Sequence, residues 1–151
     1  MDKPRDLEAR AGAQYGALLC SMCLGAVGMA LHHKLCHTLG GSFNLPHAHT
    51  HAIVLPHAVA YNAPMVGDVM SRLADVLPGS EGSAVHGLNV LLDKLRVKGG
   101  LKAFGMDESD VEKAAAIALE RAYWNPRVIE KEKLVEILRR CWAGEEARND
   151  L

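Results

Sequence analysis

From Ala11 to Leu39 the chain reads AGAQYGALLCSMCLGAVGMALHHKLCHTL, and Gly40-Gly41 follows. How this stretch is covered decides the fold. Its first 21 residues, to Leu31, have only Gln14, Tyr15 and Ser21 as polar side chains, which is length enough to span a bilayer. Ala and Gly dominate it, however, so its insertion energy is weak. His32-His33-Lys34 stands where a basic stop-transfer cluster would sit, and Asp2, Asp6 and Glu8 make a poor signal-peptide start. The stretch reads instead as a buried core helix of a protein without membrane association. Asp6 can cap it and Gly40-Gly41 can stop it. Gly12, Gly16, Gly25 and Gly28 lower helix propensity, which suits tight packing or a backbone held near a ligand.

The rest of the chain agrees with one domain over residues 1–151. At 49% apolar and 23% charged residues, disorder is excluded. A net charge of −1 leaves no basic field for nucleic acid, and 5% aromatic residues argue against stacking on single strands. Four cysteines do not make a disulfide scaffold, which points to a reducing, cytoplasmic setting. The charge is lopsided: Lys34 is the one charged residue between Ala11 and Gly67, whereas 28 lie between Asp68 and Leu151. So apolar a half must be covered by the other half, a partner chain, another domain or lipid.

Further helices follow from punctuation. Pro46 opens one that runs to about Tyr61, with Pro56 inside it. Val66, Val69, Met70, Leu73 and Leu77 mark the next, ending at Pro78-Gly79. Ser83 opens another, closed by Gly99-Gly100, and Asp107 is the expected cap of a helix from Val111 to about Ala122. Leu134, Ile137, Leu138, Cys141 and Trp142 share the face of a last helix that stops at Gly144. No period-2 alternation is sustained anywhere. Five or six amphipathic helices make an all-α bundle.

Seven of the eight histidines fall between residues 32 and 57: His32, His33, His37, His47, His49, His51 and His57. Taken singly, His49, His57 or His86 reads as a capping or core imidazole bonded to a carbonyl. As a group, His33, His37 and His47 read as a site. His33 and His37 are four apart on one helix face, and a glycine turn leads to His47 at the next helix start, with His51 one turn on. Imidazole is the natural ligand for borderline metals and the natural acid/base near neutral pH. Cys20 and Cys23 form a C-x-x-C with Cys36 beside His37, but a continuous helix separates Cys23 from His33 by about 15 Å. The cysteines therefore read as buried, inert thiols. No G-x-G-x-x-G, phosphate loop, G-x-S-x-G or H-E-x-x-H is present.

These residues also carry a resemblance. His33-Lys34-Leu35-Cys36-His37-Thr38-Leu39-Gly40-Gly41, Leu45-Pro46-His47, Leu55-Pro56-His57 and Tyr61-Asn62 resemble the signature of iron-type alcohol dehydrogenases. With Gly28-Met29-Ala30-Leu31-His32-His33 before them, and Tyr123-Trp124-Asn125-Pro126-Arg127 and Cys141-Trp142-Ala143-Gly144 after them, they are similar to the maleylacetate reductases of that family. The resemblance implies the C-terminal helical domain of a dehydroquinate synthase-like fold, without the N-terminal α/β nucleotide domain. It implies metal ligation at His33 and His47 (Fe2+ or Zn2+, with an incomplete ligand set) and catalytic roles for His37 and His47 in polarising substrate and donating a proton. The implied chemistry is NAD(P)H-dependent hydride transfer to the ketone of maleylacetate, giving 3-oxoadipate in aromatic-compound degradation. The developing oxyanion needs a hydrogen-bond donor and a proton source, both of which an imidazolium supplies.

Three roles compete. One is the C-terminal part of such an oxidoreductase, inactive without a nucleotide-binding domain or second chain, oligomeric through its exposed apolar face, and acting on a small keto acid. The second is a non-catalytic, His-rich metal-binding or assembly module. The third is a degenerate remnant of the family.

Overall fold

The computed structural model describes residues 4–97 and 99–151. Among them are seven α-helices and no strand: α1 (Leu7–Ala26), α2 (Leu31–Phe43), α3 (His47–Asn62), α4 (Gly67–Val76), α5 (Ala84–Lys94), α6 (Asp110–Leu119) and α7 (Lys131–Ala143). Short 3-10 turns lie at Ala63–Met65 and Leu101–Phe104.

Where the sequence predicts one helix from Asp6 to Leu39, the structure has two. Asp6 caps α1 as expected, its Oδ1 accepting from the Glu8 and Ala9 amides at 3.0 and 3.2 Å. Val27 and Ala30 are then extended, and α2 departs at 98° to α1. The new helix start is stabilised from far along the chain. Ala30 has no side chain to cap α2, and Asn125 Oδ1 accepts from the Leu31 amide instead, at 3.4 Å. The same Asn125 exchanges two hydrogen bonds with Asn62 (2.8 and 3.1 Å) and donates to the Arg127 carbonyl at 2.6 Å. One amide thus ties the start of α2 to the end of α3. Replacing it leaves a helix N-terminus and a partly buried amide without partners, so Asn125→Ala is expected to lower unfolding free energy by about 1–2 kcal/mol. Urea unfolding checks this, and a loss under about 0.5 kcal/mol, the range of an ordinary surface substitution, would refute the capping role.

Gly40-Gly41 does not stop α2, which ends at Asn44 in a left-handed conformation (φ 53°). The covering of α1 also differs from expectation. None of its residues is buried; Tyr15, Leu18 and Met22 face solvent, as do Cys20 and Cys23, which the sequence reading had buried. Among the described residues no single helix is long and apolar enough to cross a membrane; α1 and α2 pass that test only together, as a bent pair.

The core lies between α2, α3, α6 and α7. Leu31, Leu35 and Leu39 recur every four residues along one face of α2 and are fully buried with Val54, Leu134 and Leu138. Ala114, Ala115 and Ala118 give α6 a flat side that admits its neighbours closely, and Cys36 and Cys141 are core thiols. Pro56 lies inside α3 without ending it. The α4–α5 pair leans on α3 through Val85 and Ala60. Ser83 caps α5 by accepting from the His86 amide at 3.3 Å. The expected cap at Asp107 is displaced: residues 107–109 form turns, with Asp110 N donating to the Asp107 carbonyl, and α6 begins at Asp110 and ends at Leu119.

Gly144, left-handed at φ 74°, stops α7. Gly99-Gly100 lies beyond the end of α5 rather than closing it, and crosses the end of α7 backbone to backbone. On α7 itself, buried Arg140 bonds Glu136 at 2.7 Å and Asp150, closing the C-terminal segment over the core.

Candidate functional site

Two helix beginnings face each other. The first two turns of α2 bear His32, His33 and His37, and the first two turns of α3 bear His47 and His51. Because α2 and α3 pack side by side, the five rings form one cluster. His51 is its hub: ring centroids lie 4.1 Å from His47, 4.9 Å from His32 and 5.2 Å from His33. His33 and His37 stand edge to face at 6.0 Å, and His32 and His33 at 5.1 Å.

The three residues singled out from sequence therefore share one cluster, with His33 half-buried and His37 and His47 exposed at its edge. His49, on the same helix, turns away and rests on the Phe104 ring at 4.6 Å. His57 is buried elsewhere, with a backbone hydrogen bond to Glu145, and His86 is exposed.

His32 and His51 were not counted in the predicted group, for a physical reason. Neighbours on a helix diverge by about 100°, so spacing along α2 alone points His32 away from His33. The packing of α3 against α2 joins them, because His51 lies within reach of both rings. The spacing of His47 and His51 was the available signal, because residues four apart share a helix face.

The cluster has a definite electrostatic character. Burial, then the neighbouring imidazoles of His32, His47, His33 and His37, push His51 down to about 4. Burial also lowers His32, against the opposing effect of its hydrogen bond, and burial followed by His37 and His47 lowers His33. These three rings are thus neutral at neutral pH and present lone pairs. His32 Nε2 donates to the His51 carbonyl at 3.0 Å, whereas His51 Nε2 is buried without a hydrogen-bond partner. An all-nitrogen donor set with an unsatisfied buried nitrogen suits a borderline divalent ion.

Beside His32 and His33 opens an apolar groove of about 320 Å³, lined by Val59, Val69, Met70 and Leu73 and by Leu24 and Val27 at the end of α1. At another edge Lys34 Nζ sits 5.6 Å over the Tyr123 ring. Burial, then the nearby Tyr61, pushes the Tyr123 phenol up to about 12, and its hydroxyl lacks a hydrogen-bond partner.

The family model described as "Fe-containing alcohol dehydrogenase family, C-terminal" matches residues 1–142. A maleylacetate reductase from Pseudomonas sp. (strain P51) is 48% identical over 94% of this chain. Among solved structures, an alcohol dehydrogenase-like protein from Ralstonia eutropha JMP134 superposes with a TM-score of 0.92 at 51% identity, over 96% of this chain and 41% of its own. Maleylacetate reductase from Agrobacterium tumefaciens superposes with a TM-score of 0.89 at 43% identity, over 96% of this chain and 41% of its own. The chain spans about 40% of the length of the curated relatives it matches. With both its helical architecture and its residues 1–142 matched, this chain belongs to the iron-containing alcohol dehydrogenase family and corresponds to the family's C-terminal domain.

Proposed function

We propose that this chain forms the imidazole-bearing wall of a reductase for maleylacetate or a closely similar keto acid. NAD(P)H would be held by a nucleotide-binding domain on the same or another polypeptide. The observation that carries the reading is the convergence of His33, His37 and His47 on one cluster, in a chain that resembles maleylacetate reductases over 94% of its length. The sequence holds no dinucleotide-binding loop, so hydride, the contribution of NAD(P)H, comes from outside this domain. The exposed apolar surface of α1 is the place we assign to that nucleotide domain.

Atom balance corrects the expected point of attack. Maleylacetate, NAD(P)H and one proton give 3-oxoadipate and NAD(P)+, and 3-oxoadipate keeps its oxo group. The hydride therefore ends on a carbon of the C=C bond conjugated with that ketone. Negative charge gathers on the ketone oxygen as an enolate before a proton returns to carbon. His47 donates a hydrogen bond to that oxygen, and His37, open to solvent, delivers the proton. The family pattern would place Fe2+ or Zn2+ at His33 and His47, where the ion would polarise the same oxygen when bound.

The test is maleylacetate-dependent NADH oxidation by this chain, alone and co-expressed with a family N-terminal domain. Activity is expected in the pair, and His37→Ala should lower kcat by about 100-fold or more while far-ultraviolet circular dichroism stays unchanged. Undiminished turnover in His37→Ala overturns the proton-donor role. The competing reading, a His-rich metal-binding or assembly module, is favoured by the unpartnered His51 nitrogen and gains if the associated pair is silent.

A further inference from the structure

We propose that His32, His33 and His51 form a three-imidazole site for one borderline divalent cation, of the class of Zn2+ or Co2+, that this chain holds by itself. The family pattern points to the pair His33 and His47. The geometry here points to a different set, which shares only His33 and does not depend on the reductase reading.

Three observations converge. One ligand nitrogen from each of the three rings lies within 4.8 Å of the others, and each of the three residues is half-buried. Nitrogens bound to Zn2+ at about 2.0–2.1 Å stand roughly 3.4 Å apart in a tetrahedron, so the rings need close by no more than about 1.4 Å. Secondly, His51 Nε2 is buried with no hydrogen-bond partner, an arrangement that costs free energy unless something binds it. Thirdly, His32 Nε2 bonds the His51 carbonyl at 3.0 Å. A carbonyl only accepts, so that nitrogen carries the hydrogen and Nδ1 keeps the lone pair. Such a bond fixes the tautomer and orientation of a metal-binding imidazole.

The chemistry of the set selects the ion. Three neutral nitrogens and no carboxylate disfavour Ca2+ and Mg2+, which take oxygen ligands. Cys36 is near in sequence but is buried in the core, where its thiol is pushed up to about 12 and stays protonated. The ligands come from two helices, α2 and α3, so an ion would also cross-link the pair that frames the cluster.

Titration of the untagged, purified chain with Zn2+ by calorimetry, and with Co2+ by its visible absorption, tests the proposal. One ion per chain is expected. Binding should weaken about 100-fold or more in His51→Ala and in His32→Ala, since losing a ligand costs at least as much as losing an outer-shell partner. His37→Ala should stay within about 3-fold of wild type. His51→Gln and His32→Gln, which keep most of the side-chain volume, serve where an alanine variant loses helical content. Absence of stoichiometric binding overturns the proposal. So does a site abolished by His47→Ala yet intact in His51→Ala and His51→Gln, which would restore the family pair. Neither result bears on reductase turnover, whose test is separate.

Discussion

Gly100→Ala is expected to cost about 3–5 kcal/mol of folding free energy, while Gly41→Ala, on the open face of α2, should be neutral or gain up to about 1 kcal/mol. Gly100 has φ 62° and ψ −176°, a backbone region that residues other than glycine all but never enter. A Cβ there would also collide with the backbone of another element: the Gly144 amide, the Trp142 carbonyl and the Cys141 carbonyl. None of these is the free end of a side chain that could swing aside. A Cβ on Gly41 would meet nothing within 4 Å. Urea unfolding of the two variants reads the contrast directly. Equal midpoints would mean that the 99–100 segment and the end of α7 do not cross so closely in solution.

Lowering the pH from 7 to 4 is expected to remove about 3 kcal/mol through His57 alone. Burial is the main cause that pushes this imidazole down to about 4, aided by Arg140 and Arg148 and opposed by its bond to the Glu145 backbone and by the Glu145 carboxylate. The unfolded chain takes up the proton near 6.5 and the folded one only near 4. Stability from the neutral ring is therefore complete above 6.5, declines as pH falls through the window, and levels off below 4. His51, pushed down to about 4 as well, declines in the same window. Glu136 adds a later step. Its hydrogen bond from Arg139, followed by that from Arg140, holds it at about 2, so its contribution is present above 4.5 and is lost between 4.5 and 2. Urea midpoints measured every half unit from pH 7.5 to 4 should fall for wild type and fall less steeply for His57→Gln. Parallel curves would show that His57 is not the source.

Local signals located most of the helices. Pro46, Ser83 and Gly144 each mark a boundary that the backbone respects, because a helix start or stop is mostly a matter of a few neighbouring residues. The two boundaries that misled were those governed from elsewhere. Gly25 and Gly28 flank the break at Val27 but do not differ from Gly12 and Gly16, which stay helical, and the residue that caps α2 is Asn125, 94 positions away. Gly40-Gly41 has the composition of a stop, yet α2 continues because Asn44 supplies the left-handed turn a few residues later. The site shows the same division. A histidine-rich segment is visible in any reading of the chain, and so is the shared face of His33 and His37. The entry of His32 and His51 depends on the angle at which α2 meets α3, and that angle is set by the distant cap and by core leucines. The Gly100–Gly144 crossing was illegible for the same reason: a glycine pair reads as a turn until the second backbone is seen against it.

In α1 the chain carries 20 helical residues with no buried side chain, so nothing in the core rewards their order. A helix of that length standing alone is only marginally favoured in water. It therefore behaves as its own cooperative unit, opening and closing on a free-energy scale far below that of α2 and α7. Any surface that binds only the ordered form shifts this equilibrium by mass action, and the ordering entropy is subtracted from its affinity. Helicity in α1 and occupancy of its apolar face are thus linked variables, each of which can be read from the other.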